Sequence, residues 1–368
     1  MVSTILVPLD GSTFAERALI PASALARAVG ARLVLVRATI AHASLTRDLA
    51  AAEIAATQQA EIELAATAER LRATGLDVET HVYYDDPPAA IVDLAGRVQA
   101  DLIVMSTHGR SGLGRWIYGS VADEVLRRSV SPVLLVPAHS EELWPEGRKL
   151  RVLLPLDGSK LAEDSLGLVT RVASNATVDI TLLRVIEPVS AYTYAEVSPY
   201  LVLDRTEEIS EAERYVDRIA ARLREQGHSV QVRVESGLPT VTIARVARER
   251  GADLIAMATH GHGGIARFVL GSVATGVLQQ AATPLLLVRP LAVREAAVSG
   301  EPAAIDQFEE VAIVSLSLTE LGLLKQGLDV LLADPTTDLY RAEKIRRLQE
   351  RLLQEEPLLA SSGYGGLP

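Results

Sequence analysis

The chain contains the same stretch twice, and that limits the folds open to it more than any other feature. Residues 4–19 read TILVPLDGSTFAERAL, and residues 151–166 read RVLLPLDGSKLAEDSL, an offset of 147. Residues 101–137 read DLIVMSTHGRSGLGRWIYGSVADEVLRRSVSPVLLVP. Residues 253–290 read DLIAMATHGHGGIARFVLGSVATGVLQQAATPLLLVRP, an offset of 152. Five extra residues therefore lie between the two blocks of the second copy. The stretch 187–200, with its prolines and tyrosines, is the natural place for them. Each copy spans about 140 residues, the length of one domain. The expected division is a first module over 1–138, a linker over 139–149 marked by Pro145, Gly147 and the charges around Arg148, a second module over 150–290, and a connector with a helical tail over 291–368.

Within the first copy, short Val/Ile/Leu runs alternate with helical patterns. Strands are expected at 5–8, 33–36, 78–82, 102–106 and 133–136. Helices are expected at 14–29, 50–74, 88–100 and 121–129, the first two ended by Gly30 and Gly75. Strands that are apolar throughout belong to a parallel sheet covered on both faces. Repeated β-α units then give a doubly wound α/β domain in each copy. Aromatic residues are only 4% of the chain while hydrophobic residues are 48%, so the cores must be aliphatic.

Composition removes several functions. The net charge is -11, which disfavours nucleic-acid binding through a basic face. Residues 291–368 hold 7 Lys/Arg and 13 Asp/Glu, so the tail carries -6 of that charge. With no cysteine, thiolate chemistry and cysteine metal sites are excluded. The first residues lack the pattern of a signal peptide, and no apolar run reaches 18 residues. A cytoplasmic protein without membrane contact is the expectation.

In doubly wound sheets, ligands sit at the carboxyl ends of the strands where the strand order reverses. That rule selects the two segments the copies share most closely. One follows the first strand: Pro8, Leu9 and Asp10, repeated as Pro155, Leu156 and Asp157. The other follows the fourth strand, from Ser106 to Ser120 and from Ala258 to Ser272. It holds Gly109, Gly112, Gly119 and Ser120, then Gly261, Gly263, Gly264, Gly271 and Ser272. Glycines with open N–H groups at a helix start make a phosphate cradle, to which Arg115 and Arg267 could add charge. The competing readings are local. Ser120 with Asp123 also fits a capping box, and Asp10 or Asp157 before a helix also fits an Asx-turn or N-cap. Asp123 would face a phosphate unfavourably, and Thr275 in the second copy removes that objection. His108 and His260 lack metal-ligand spacing, so no metal site is expected. Neither a P-loop nor a GxSxG nucleophile elbow is present. The GxGxx[GA] match over residues 261–266 follows the wrong strand for a dinucleotide fold.

On these residues the chain resembles the universal stress protein family. Nucleotide-binding members carry G-2x-G-9x-G-[ST] after the fourth strand. Gly109 is nine residues from Gly119-Ser120, and Gly261 is nine residues from Gly271-Ser272. Both copies depart at the first glycine, which is Ser106 in one and Ala258 in the other. The resemblance covers residues 3–138 and 150–290. It implies a five-stranded parallel sheet with helices on both faces and modules paired through their last strands. It also implies an ATP site, with magnesium as a companion. In that site Asp10 or Asp157 contacts the adenosine, Ala38 or Val185 the adenine, and Met105 or Met257 precedes the glycine motif. Arg110, Val121, Gly264 and Val273 complete the candidate set. ATP would then serve as a switch or assembly signal in the stress response, with slow hydrolysis at most. The alternative is a nucleotide-independent scaffold acting through module pairing and the tail. A nucleotidyl-transferring enzyme would need a signature such as HxGH, which is absent.

The tail lies outside the resemblance. Helices are expected over 304–333 and 338–354, separated at Pro335. Leu339, Ile345, Leu348, Leu352 and Leu353 form an apolar stripe on the second. The stripe fits packing on the modules, or docking to a homo-oligomer or protein partner.

Overall fold

A computed structural model describes residues 2–39, 49–107, 119–137, 144, 148–173, 178–187, 206–259 and 270–289. The expected tail helices and the extra residues of the second copy from 188 onward lie outside the described residues.

The first module runs β1 (Thr4–Pro8), α1 (Thr13–Glu16), α2 (Leu19–Val29), β2 (Arg32–Thr39), α3 (Leu49–Arg72), β3 (Val78–Tyr84), α4 (Pro87–Arg97), β4 (Leu102–Ser106), α5 (Ser120–Arg128) and β5 (Val133–Val136). The second runs β6 (Leu150–Pro155), α6 (Lys160–Ala173), β7 (Val178–Ile186), α7 (Thr206–Glu225), β8 (Ser229–Ser236), α8 (Pro239–Glu249), β9 (Leu254–Ala258), α9 (Ser272–Gln280) and β10 (Leu285–Val288).

The ten strands among the described residues form one sheet in the order β3-β2-β1-β4-β5-β10-β9-β6-β7-β8. Pairing is parallel within each module and antiparallel where β5 meets β10, with Leu286 opposite Leu134. β1, β4 and β9 are buried at every position, as strands covered on both faces must be. Two aliphatic layers result. One packs residues of α2, α3, α6 and α7, such as Leu25, Leu64, Leu166 and Ile219, on one face of the sheet. The other packs α4, α5, α8 and α9 through Ile91, Val125, Val246 and Val277.

Two local expectations need correction. The helix expected over 14–29 is broken after Glu16. Pro21 has no N–H to give the Arg17 carbonyl, so the chain makes a tight turn there and restarts with Pro21 in the first turn of α2, where a missing donor costs nothing. β2 also runs longer than the apolar run 33–36. Arg37 interrupts the run chemically, yet its backbone stays paired to Val82, and Ala38 pairs to Tyr83.

The second module is tied down at its entry. Arg148 forks onto Asp253 through Nη1 and Nη2, each at 2.6 Å, and the Arg151 backbone N–H donates to the same carboxylate at 2.8 Å. Burial works to raise the Asp253 carboxyl, but these hydrogen bonds outweigh it and hold the group below the usual carboxylate range. Asp101 has the same place in the first module, where Ser3 and the Thr4 N–H serve it instead. At the seam, Arg289 follows β10 and donates through Nη2 to the carbonyls of Leu126, at 2.8 Å, and of Arg127. A cation from the second module thus closes the carbonyl end of α5 in the first.

Candidate functional site

β1 has β2 on one side and β4 on the other, so the strand order of the first module reverses between β1 and β4. The βα loops on either side leave a crevice at the carboxyl ends of these strands. A cavity of ≈ 710 Å³ lies there, a size suited to a small-molecule ligand. Pro8, Leu9 and Asp10 enter it from β1, and Ala38 from β2. Met105 and Ser106 come from β4, with Gly119, Ser120 and Val121 from the start of α5. The structure therefore brings together nine residues singled out in the sequence. His108, Gly109, Arg110, Gly112 and Arg115 lie outside the described residues, as do His260, Gly261, Gly264 and Arg267.

The two local alternatives at β1 and α5 resolve differently. Asp10 does make an Asx-turn: its Oδ1 accepts from the Ser12 N–H at 2.9 Å, and Ser12 caps α1 by accepting from the Ala15 N–H at 3.1 Å. The carboxylate lines the cavity while one oxygen holds this turn. The capping box at Ser120 is not formed. Gly119 is the N-cap, its own N–H donating to the Thr107 carbonyl at 2.7 Å, and Ser120 is the first helical residue. With no side-chain cap, helix geometry leaves the N–H groups of Ser120, Val121 and Ala122 without intrahelical acceptors at the cavity edge. The feared repulsion from Asp123 is relieved. Arg127 Nε donates to its carboxylate at 2.9 Å, one turn further down the helix.

The second module repeats this frame. Asp157 Oδ1 accepts from the Ser159 N–H at 2.9 Å and its hydroxyl at 2.6 Å. Leu156 N–H donates to Leu183 as Leu9 N–H does to Val36, both at 2.8 Å. Gly271 caps α9 and donates to the Thr259 carbonyl at 2.9 Å, placing Ser272 and Val273 in the first turn. Pro155 ends β6, and Val185, Met257 and Ala258 are buried at the ends of β7 and β9.

Sequence reasoning missed one wall of the first cavity. Arg37 of β2 and Ala56, Gln59 and Glu63 of α3 form it. The Arg37 guanidinium is only 8% exposed and is ion-paired through Nη1 to Glu63. It lies over Gly11, where a Cβ would fall 2.9 Å from both terminal nitrogens. Gly11 also has φ +81°, so the turn requires glycine on both counts. An arginine directly after the apolar run 33–36 was the available signal.

Comparison with known proteins follows the same outline. The family model described as "Universal stress protein family" matches residues 1–137 and again 150–289. The chain belongs to the universal stress protein family. Relatives in that family include a universal stress protein of Mycolicibacterium smegmatis, 30% identical over 222 residues that cover 59% of this chain and 70% of that one. A single-module-sized relative from Thermus aquaticus is 36% identical over 147 residues, covering 37% of this chain and 99% of its own. Among solved structures, a universal stress protein from Archaeoglobus fulgidus shares the fold at TM-score 0.61 and 22% identity. It covers 78% of this chain and 99% of that one. As a tandem member of a stress-response family, the chain carries two modules of mostly parallel sheet with helices on both faces. No helix among the described residues is long and apolar enough to cross a membrane.

Proposed function

We propose that the first module binds ATP in the cavity at the ends of β1 and β4, and that binding acts as a switch or assembly signal rather than as a step of catalysis. One observation carries this reading. The open N–H groups at the start of α5, the apolar floor at Ala38 and Met105, and the Asp10 carboxylate converge on a single cavity. The helix start supplies donors and a favourable dipole for phosphate oxygens, with magnesium as a companion ion. The apolar floor takes the adenine, and Asp10 takes a ribose or base donor. Among the described lining residues the one cation, Arg37, is already paired to Glu63. The repeated frame makes the second module a candidate for the same ligand.

A second reading draws on Ser106 and Ala258, which stand where nucleotide-binding relatives have glycine. There the chain is a scaffold, and its working surface is the pairing of β5 with β10 together with the tail.

Titration calorimetry of the full chain with ATP and magnesium tests the proposal, with Ser120→Glu and Ser272→Glu as variants. Both positions are exposed first-turn residues, where a carboxylate suits the helix dipole but repels a phosphate. Micromolar binding that Ser120→Glu removes supports the proposal, and the effect of Ser272→Glu counts the second site. No heat at millimolar ATP sinks the proposal and favours the scaffold.

A further inference from the structure

The wall missed in the sequence has a chemistry of its own. Gln59 and Glu63 lie on the same face of α3, one turn apart, and line the cavity beside Ala38. Gln59 Nε2 donates to Glu63 Oε1 at 2.7 Å, which leaves the Gln59 carbonyl turned away as an acceptor. Glu63 is a carboxylate, an acceptor at both oxygens, and 43% exposed. Buried Arg37 fixes it from behind. The cavity therefore has two functional ends. The start of α5 offers donors, and the α3 wall offers acceptors.

Resting on the nucleotide reading above, we infer that Glu63 and Gln59 determine base specificity in the first module by accepting a hydrogen bond from an exocyclic amino group. The ligand class is a nucleotide whose base presents an amine rather than a keto oxygen at that edge. Arg37 is a positioning residue: it holds the Glu63 carboxylate in place through their ion pair. A keto base would set its oxygen against the Glu63 carboxylate and the Gln59 carbonyl, acceptor facing acceptor, and lose the hydrogen bond an amine makes there.

The second module shows that the wall is not a general feature of the fold. Arg72 and Arg224 each donate through Nε to the carbonyl of the strand that follows, Val78 and Val230, at 3.2 Å. That correspondence puts Tyr215 at the place of Glu63 and Glu211 at that of Gln59. Arg184 matches Arg37, since Pro8 pairs with Val36 and Pro155 with Leu183. The Tyr215 hydroxyl donates to Glu163 Oε1 at 3.3 Å. With a phenol engaged elsewhere at this place, the carboxylate that Arg37 fixes in the first module has no counterpart in the second.

The test compares ATP with inosine triphosphate, whose base carries a keto oxygen in place of the amine and an N–H in place of the adjacent ring acceptor. It uses the full chain with Ser272→Glu, so that the first module is read. The parent should bind inosine triphosphate roughly 10- to 100-fold more weakly than ATP, the range of a hydrogen bond to a charged group. Gln59→Leu, and separately the paired change Arg37→Met with Glu63→Leu, should bring the two affinities together. The paired change removes both charges and keeps the wall filled, so folding is preserved. Equal affinities in the parent, or an unchanged ratio in both variants, overturn the inference while leaving the nucleotide reading intact. Absence of binding by either nucleotide overturns both.

Discussion

Replacing Asp253 by asparagine should destabilise the second module by about 2–3 kcal/mol. The side chain is 7% exposed and accepts from Arg148 Nη1 and Nη2, from the Arg151 backbone N–H, and more distantly from Arg151 Nε and Nη2. An asparagine keeps the shape but turns an NH₂ toward the guanidinium fork. Breaking a fully buried charge pair costs about 3–5 kcal/mol, and a hydrogen bond to a charged group contributes about 1.5–3 kcal/mol. Here the arginine side chains are 39% and 43% exposed and can turn into water, which places the cost at the low end. For a module of this size that corresponds to a fall in Tm of roughly 5–10 °C. The pH dependence follows from the lowered carboxyl. Because the folded pKa lies below the unfolded value of about 3.9, the stabilisation is complete above that value and is lost as pH falls through the folded one. Thermal unfolding of parent and variant at pH 7 and at successively lower pH reads both effects. The gap should be full at pH 7 and narrow below about pH 4. A gap under about 0.5 kcal/mol at pH 7, or one that widens in acid, would refute the reasoning. Asp101→Asn is the internal control. It loses contacts to Ser3 and Thr4 only, with no cation involved, and should cost about 1 kcal/mol.

Arg289→Met should lower stability by about 1–3 kcal/mol in urea unfolding, because the last carbonyls of α5 lose a charged donor. Burial lowers the Arg289 pKa, so part of that gain is already offset, and a methionine variant as stable as the parent would show the clasp contributes nothing. Gly11→Ala should cost more than Gly30→Ala. Both have positive φ, at +81° and +69°, but a Cβ at position 11 meets the Arg37 guanidinium, whereas one at position 30 meets nothing within 4 Å. Backbone strain alone is about 1 kcal/mol, so equal losses in denaturation would mean that Arg37 does not rest on the turn.

Much of the fold was legible because the apolar strands, the glycine-ended helices and the repeat all point to one architecture. The misreadings share a physical cause. Pro21 looked harmless inside an Ala-rich helix until the donor that Arg17 lacks was counted. Ser120 looked like a cap because serine usually is one, but the Gly119 N–H bond to Thr107 moves the helix start by one residue and leaves the hydroxyl in the first turn. Arg37 looked like the end of a strand because a charge interrupts an apolar run. Its partner Glu63 sits 26 residues away on a helix, and no local pattern links the two. Half of the candidate site was thus readable from motif spacing. The α3 wall was not, since tertiary packing alone brings it to the cavity.

Amide hydrogen exchange of the full chain with and without ATP and magnesium, resolved at the first turn of α5, tests the central claim most directly. The N–H groups of Ser120, Val121 and Ala122 should exchange freely in the apo protein and become protected when phosphate oxygens accept from them. Saturating ATP that leaves all three unprotected, or that protects only the equivalent turn at Ser272, would contradict an ATP site in the first module.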